Sequence, residues 1–148
     1  FAQALGVQMS VLAADGVHLP STGADDEARR HFAAARARLG EGAIIGAAAG
    51  GSRHAAMVWA DLGADYVAFD CDDADARENL LAWWADVAVV PAVGFAVSAL
   101  EVAALVEAGS DFIAIAAGGD AAGAVAATEM AIRAAGAAPR STVLADER

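Results

Sequence analysis

The sequence predicts an α/β fold of repeated βα units around a parallel sheet, either a (β/α)8 TIM barrel or an open doubly wound sheet. Three observations carry that expectation. The junction Leu62-Gly63-Ala64-Asp65-Tyr66-Val67-Ala68-Phe69 returns as Ala108-Gly109-Ser110-Asp111-Phe112-Ile113-Ala114-Ile115, with a weaker copy at Ala13-Ala14-Asp15-Gly16-Val17-His18-Leu19. Strand-like runs begin near Asp15, Ala43, Asp65, Val87 and Asp111, at spacings of 28, 22, 22 and 24 residues. The stretches between them are amphipathic and long enough for helices, which implies parallel strands joined by right-handed crossovers.

Each full junction ends an amphipathic stretch at Gly, which takes the left-handed helix-capping conformation at little steric cost. A small residue and Asp follow, then a β-branched or aromatic run suited to a buried strand. The first helix spans Asp25 to Leu39, with Arg29, Arg30 and Arg36 outward and acidic residues in its first turn. A strand without the Asp follows at Ala43-Ile44-Ile45-Gly46-Ala47, and Ser52 caps a helix that runs to Leu62. After the Asp65 strand, Ala74 to Ala85 carries Leu80, Leu81, Trp83 and Trp84. The next strand is expected at Val87-Ala88-Val89-Val90-Pro91-Ala92-Val93, and the next helix at Ser98 to Ala108, with Ser98 and Glu101 forming a capping box. A last helix spans Asp120 to Ala135. Residues 1–148 thus read as a single domain with five βα units visible. A closed barrel needs eight, so the barrel reading expects an N-terminal portion of about 60 residues beyond this sequence. The opening Phe1-Ala2-Gln3-Ala4-Leu5-Gly6 reads as the end of a helix.

Composition narrows the function. The chain has 148 residues, of which 58% are apolar, and only three Pro, which suits a packed domain and argues against disorder. No run approaches the ~18–20 strongly apolar residues of a membrane span, since Thr128, Glu129 and Arg133 interrupt the Ala-rich tail. Cys71 is the single cysteine, which points to a reducing, cytoplasmic setting without an internal disulfide. A net charge of −11, with nine Arg and no Lys, disfavours nucleic acid and anionic membranes as partners. Any phosphate site must therefore use Arg, backbone amides or a metal ion.

Leu80-Leu81-Ala82-Trp83-Trp84-Ala85 with Val90-Pro91-Ala92-Val93-Gly94 is similar to the late barrel of the thiamine-phosphate synthase family. Ser52-Arg53-His54-Ala55-Ala56-Met57 leading into Gly63-Ala64-Asp65-Tyr66-Val67-Ala68-Phe69 resembles it too, as does Asp15-Gly16-Val17-His18-Leu19. The resemblance runs from about Gln8 to Ala117 and favours the (β/α)8 barrel over the open sheet. It implies a transferase that joins a pyrimidine pyrophosphate to a thiazole phosphate. Pyrophosphate leaves, and the thiazole nitrogen captures the pyrimidine carbocation. Magnesium and donors on the carboxyl-end loops would stabilise the departing charge.

Set against the family pattern, several loops depart. Pro20-Ser21-Thr22-Gly23 stands where a Gly-Gln-x-Asp metal ligand is expected, with Asp25 and Asp26 as substitutes or as ordinary helix-start acids. Ala47-Ala48-Ala49-Gly50-Gly51 lacks the family's Ser, which leaves the Gly50 and Gly51 amides and Arg53 as the expected phosphate contacts. Asp70-Cys71-Asp72-Asp73-Ala74-Asp75 replaces a long phosphate clamp. It is either a magnesium site built on Asp70 and Asp72 or a solvated helix start, with Cys71 kept from reacting by like charge. Gly94 follows the seventh family strand, and Gly118 and Gly119 follow the eighth as a further cradle. His18 reads as a core or rim histidine, while His31 and His54 sit on helices. No catalytic residue is assigned. The readings carried forward are an active synthase, a silent paralogue binding a small phosphorylated metabolite, and a thiazole tautomerase-like isomerase. Self-association is left open.

Overall fold

The computed structural model describes residues 15–116, 120–136 and 142–145. The chain divides into two compact units, Phe1–Ala68 and Phe69–Arg148. In the first lie β1 (Gly16–Leu19), α1 (Asp25–Leu39), β2 (Ile44–Ala48), α2 (Arg53–Leu62) and β3 (Tyr66–Phe69) up to Ala68. β1 pairs with β2 and β2 with β3, all parallel, with Leu19 level with Ala47 and Ala47 level with Val67. Successive strand side chains point to opposite faces. Leu19, Ile45, Ala47 and Val67 share one face and are fully buried, as are Ala56 and Trp59 of α2. The Trp59 indole donates to the Ala48 carbonyl at 2.9 Å, which satisfies its one donor inside the core.

The repeated junction has a physical cause. Gly63 has φ +90°, and its N–H donates to the Ala60 carbonyl while the Ala64 N–H reaches back to the Trp59 carbonyl, two hydrogen bonds that close the helix. Asp65 then grips β2 twice. Its N–H donates to the Ile45 carbonyl at 2.8 Å, and its carboxylate accepts from the Ile45 N–H at 2.8 Å. Arg36 adds a guanidinium contact to the same carboxylate at 3.4 Å and donates to the Ala43 carbonyl at 2.8 Å.

The second unit repeats the device. It contains α3 (Ala74–Val87), β4 (Ala92–Ala96), α4 (Val102–Glu107), β5 (Phe112–Ala116), α5 (Ala121–Ala134) and β6 (Thr142–Ala145). β4 pairs with β5 and β5 with β6, again parallel. Gly109 has φ +94° and donates to Val106, Ser110 donates to Leu105, and Asp111 holds Ala92 by both amide and carboxylate at 3.0 Å. The α/β reading with parallel strands and helical crossovers therefore holds in each unit. Among the described residues no helix is long and apolar enough to cross a membrane.

Two expected elements differ, and one strand was not expected. The strand expected from Val87 starts only at Ala92, because α3 continues to Val87 and the Trp84 indole holds the Val90 carbonyl at 2.8 Å. Pro91 offers no donor, so the ladder begins at the residue that Asp111 grips. The helix expected from Ser98 begins at Val102, and the Glu101 carboxylate is drawn to Arg77 instead of forming a capping box. β6 was not anticipated, since Thr142-Val143-Leu144 is a short run beyond the last recognised junction.

Gly46 is required by packing: a Cβ there would fall inside the Tyr66 ring, whereas nothing lies within 4 Å of one at Gly42. Gly46→Ala is expected to cost roughly 1–3 kcal/mol in chemical denaturation. Gly42→Ala should cost far less, and equal losses would contradict the packing.

Candidate functional site

In parallel βα units the loops at the carboxyl ends of the strands share one end of the sheet. In the first unit these are the segment after β1, from Pro20 to Ala24, and the segment after β2, from Ala49 to Ser52. They are neighbours, since a Cβ at Gly50 would lie 4.0 Å from that of Ser21. Gly50 has φ +56°, and Ser52 caps α2 by accepting from the Ala55 N–H at 3.1 Å. Gly50, Gly51 and Arg53 thus stand together at the start of α2, with Arg53 exposed. The Asp25 carboxylate does not meet a second acid there; His54 Nε2 lies 2.9 and 3.0 Å from its two oxygens. His31 lies 4.0 Å from Glu27 on the surface of α1.

The feature sequence reasoning underrated lies on the sheet face opposite Leu19, Ile45, Ala47 and Val67. His18, Gly46 and Tyr66 occupy one register row across β1, β2 and β3. Because Gly46 has no side chain, the flanking rings close over it. They stack with centroids 5.7 Å apart and planes 12° from parallel, and His18 Nδ1 and the Tyr66 hydroxyl share a hydrogen bond of 3.0 Å. Burial pushes the Tyr66 phenol up to about 12, so it is neutral at physiological pH. The readable signal was Gly46 in an otherwise apolar strand, which marks a close approach.

In the second unit the carboxyl-end segments are Asp70–Asp73 and Val97–Glu101. Asp73 caps α3 by accepting from the Ala76 N–H at 2.9 Å, and Asp70 and Asp72 are exposed. Among the described residues no three His, Cys, Asp or Glu side chains come together to hold a metal ion. The Cys71 thiol is pushed up mainly by burial, with the Arg77 charge opposing and Asp70 and Asp73 adding less. Like charge is thus the lesser reason for its inertness, a correction to the sequence reading.

Arg77, which sequence reasoning missed, is 5% exposed. It donates to the Cys71 carbonyl at 3.0 Å and to Glu101 Oε2 at 2.8 Å. Its signal was a lone cation following four carboxylates within six residues, Asp70 to Asp75. Gly94 lies within β4 rather than after it. A Cβ there would sit 2.6 Å from Ser110 Oγ and 3.3 Å from Leu81 and Leu105, so its face turns toward the helices. Gly118 and Gly119 lie outside the described residues. Asp120 caps α5 by accepting from the Gly123 N–H at 2.9 Å. A cavity of about 470 Å³ in this unit, lined by Trp84, Val106, Ser110, Asp111 and Ile132, opens near the amino ends of β4 and β5. It lies at the opposite end from the loops, and its carboxylate Asp111 is committed to Ala92.

The chain has a single tyrosine, so alkaline absorbance at 295 nm reports Tyr66 alone. A raised folded value means its neutral form favours the fold. That contribution is whole below pH ~10 and is lost as pH rises toward about 12. The titration should have its midpoint near 12; a midpoint near the ordinary 10 with the fold intact would contradict the burial.

No protein-family model matches the chain. A thiamine-phosphate synthase from Erythrobacter litoralis is 40% identical over 115 residues, covering 70% of this chain and 51% of that protein. One from Rhodospirillum centenum is 38% identical over 113 residues, covering 70% and 52%. The chain thus spans about half the length of the curated relatives it matches. Among solved structures, a dipeptide epimerase from Enterococcus faecalis V583 superposes with TM-score 0.73 at 14% identity, over 96% of this chain and 43% of that one. A mandelate racemase/muconate lactonizing enzyme from a marine actinobacterium gives 0.70 at 18%, over 99% and 50%. At such identities the likeness is one of fold alone. The sequence relationship is of another order, and by it this chain belongs to the thiamine-phosphate synthase family.

Proposed function

We propose that this chain forms part of a (β/α)8 barrel acting in cytoplasmic thiamine biosynthesis, where it joins a pyrimidine pyrophosphate to a thiazole phosphate. The observation that carries the reading is the His18–Tyr66 stack over Gly46, set below the Gly50–Arg53 loop in the same unit. Gly50 lies four residues beyond Gly46, roughly 13 Å along the strand at ~3.3 Å per residue. The strand thus carries a ring surface for a flat pyrimidine on the way to a loop for an anion.

The chemistry follows from these positions. The C–O bond between the pyrimidine methylene and the diphosphate breaks, and the electron pair leaves with pyrophosphate. The thiazole nitrogen lone pair then forms the new C–N bond. The Gly50 and Gly51 amides and Arg53 would bind the leaving anion, helped by the positive end of α2. Tyr66, kept neutral by its surroundings, would offer its ring face to the developing carbocation. Magnesium, where it joins the diphosphate, would supply further charge neutralisation.

A second reading is favoured by Ala47-Ala48-Ala49, which supply no hydroxyl themselves, and by the acidic segment after β3. In it the protein binds the same phosphorylated pyrimidine without turnover. Ala48 and Ala49 likewise place no proton-transfer group at that rim, which weighs against a tautomerase.

Incubating the purified protein with both substrates and magnesium is expected to yield thiamine phosphate. Tyr66→Ala should lower turnover about 100-fold, and Arg53→Ala should weaken pyrimidine pyrophosphate binding about 10-fold. Thermal stabilisation by that substrate with no product would select the silent paralogue. Neither product nor stabilisation would end both readings.

A further inference from the structure

The two copies of the junction differ just before the Asp. Asp65 grips Ile45 and Asp111 grips Ala92, so position by position Ala64 matches Ser110 and Ala47 matches Gly94. Ala47 and Ala64 are both buried, and the first unit closes its helix and sets its register with these two methyl groups. The second unit adds a hydroxyl where Ala64 has none and drops the methyl that would obstruct it. A Cβ at Gly94 would lie 2.6 Å from Ser110 Oγ. Ser110 is 9% exposed, and its oxygen has no hydrogen-bond partner among the described residues. A buried hydroxyl without a partner costs stability. The first unit shows that the grip does not need it.

Ser110 also lines the cavity of about 470 Å³ at the amino ends of β4 and β5. That volume falls within the range of about 300–1,000 Å³ in which proteins enclose small molecules. The walls are mostly apolar, with Trp84, Val90, Val106, Ile113 and Ile132 among them. Val89 lines the cavity as well and is fully exposed, so the apolar surface continues out to solvent. Asp111 is the one charged residue of the lining, which disfavours an anionic guest. The Trp84 indole is held by the Val90 carbonyl, and the Asp111 carboxylate holds the Ala92 N–H. Ser110 is thus the polar side chain of the wall whose bonding is unmet. From its place against Gly94 the hydroxyl turns toward a guest about one side-chain torsion.

We propose that this cavity is a second binding site, which takes a small neutral alcohol or phenol. The apolar body of the guest packs against Trp84, Val106 and Ile132, and its hydroxyl completes the hydrogen bonding of Ser110 Oγ. The site lies at the opposite end of the strands from the carboxyl-end segments, so its guest does not compete for them. It stands whether or not the chain turns over a phosphorylated substrate.

The experiment titrates the ¹⁵N-labelled protein with benzyl alcohol, and with toluene as the same body without the hydroxyl. Saturable shifts are expected at the Trp84 indole and the Ser110 amide, while the Trp59 indole, in the core of the first unit, stays still. Ser110→Ala should melt no lower than the native protein, because it removes an unpartnered buried oxygen. It should weaken benzyl alcohol about tenfold and leave toluene unchanged. Ala88→Leu, which sets a larger side chain in the cavity wall, should abolish binding of both probes. No saturable shift in the native protein would overturn the proposal. So would equal benzyl alcohol affinity in Ser110→Ala, or undiminished binding in Ala88→Leu.

Discussion

Asp65 and Asp111 each hold a neighbouring strand by two bonds, one through the amide and one through the carboxylate, and both bonds go to the same residue on that strand. Asp65 grips Ile45 and Asp111 grips Ala92. The residues before them serve that grip. A left-handed Gly closes the preceding helix, and a small buried residue, Ala64 or Ser110, lets the chain pass beneath the helix end. Register follows, and a slip of one residue would exchange one face of the strand for the other. Val67 falls level with Ala47, and Tyr66 with Gly46, only while Asp65 faces Ile45.

That dependence explains why the fold was largely legible. The repeated Gly–small–Asp spelling is the chemistry of the grip, so each copy announces a helix end, a turn and a strand start together. Where the spelling is absent, the reading slipped. Val87 to Val90 has the β-branched residues of a strand, yet the helix and the Trp84 indole claim it. Glu101 stands at the capping-box spacing from Ser98, yet a buried guanidinium one helix away outbids the cap. Both errors have one cause: a long-range partner that local spacing does not reveal.

The candidate site was legible only in part. Gly50, Gly51 and Arg53 were singled out because glycines before a helix are a local signal, and the structure sets Gly50 beside Ser21 at the start of α2. The His18–Tyr66 pair was not, because 48 residues separate the rings and only the sheet register joins them. Gly94 misled for the opposite reason. A glycine late in a strand resembles a ligand cradle, but the face it bares turns to Leu81, Leu105 and Ser110.

A chain of net charge −11 must commit its cations with care. Arg36 steadies the first Asp grip, Arg77 is buried against Glu101, and Arg53 stands exposed at the head of α2. The order of those commitments presupposes that the grips set the strand positions, and amide hydrogen exchange at Ile45 and Ala92 tests that directly. In Asp65→Ala the Ile45 amide should lose protection roughly tenfold, and in Asp111→Ala the Ala92 amide should do the same, one bond being worth about 1 kcal/mol or more. Asp61→Ala, on the exposed side of α2, should leave both amides unchanged. Native protection at Ile45 and Ala92 in both grip variants would contradict the account at its root.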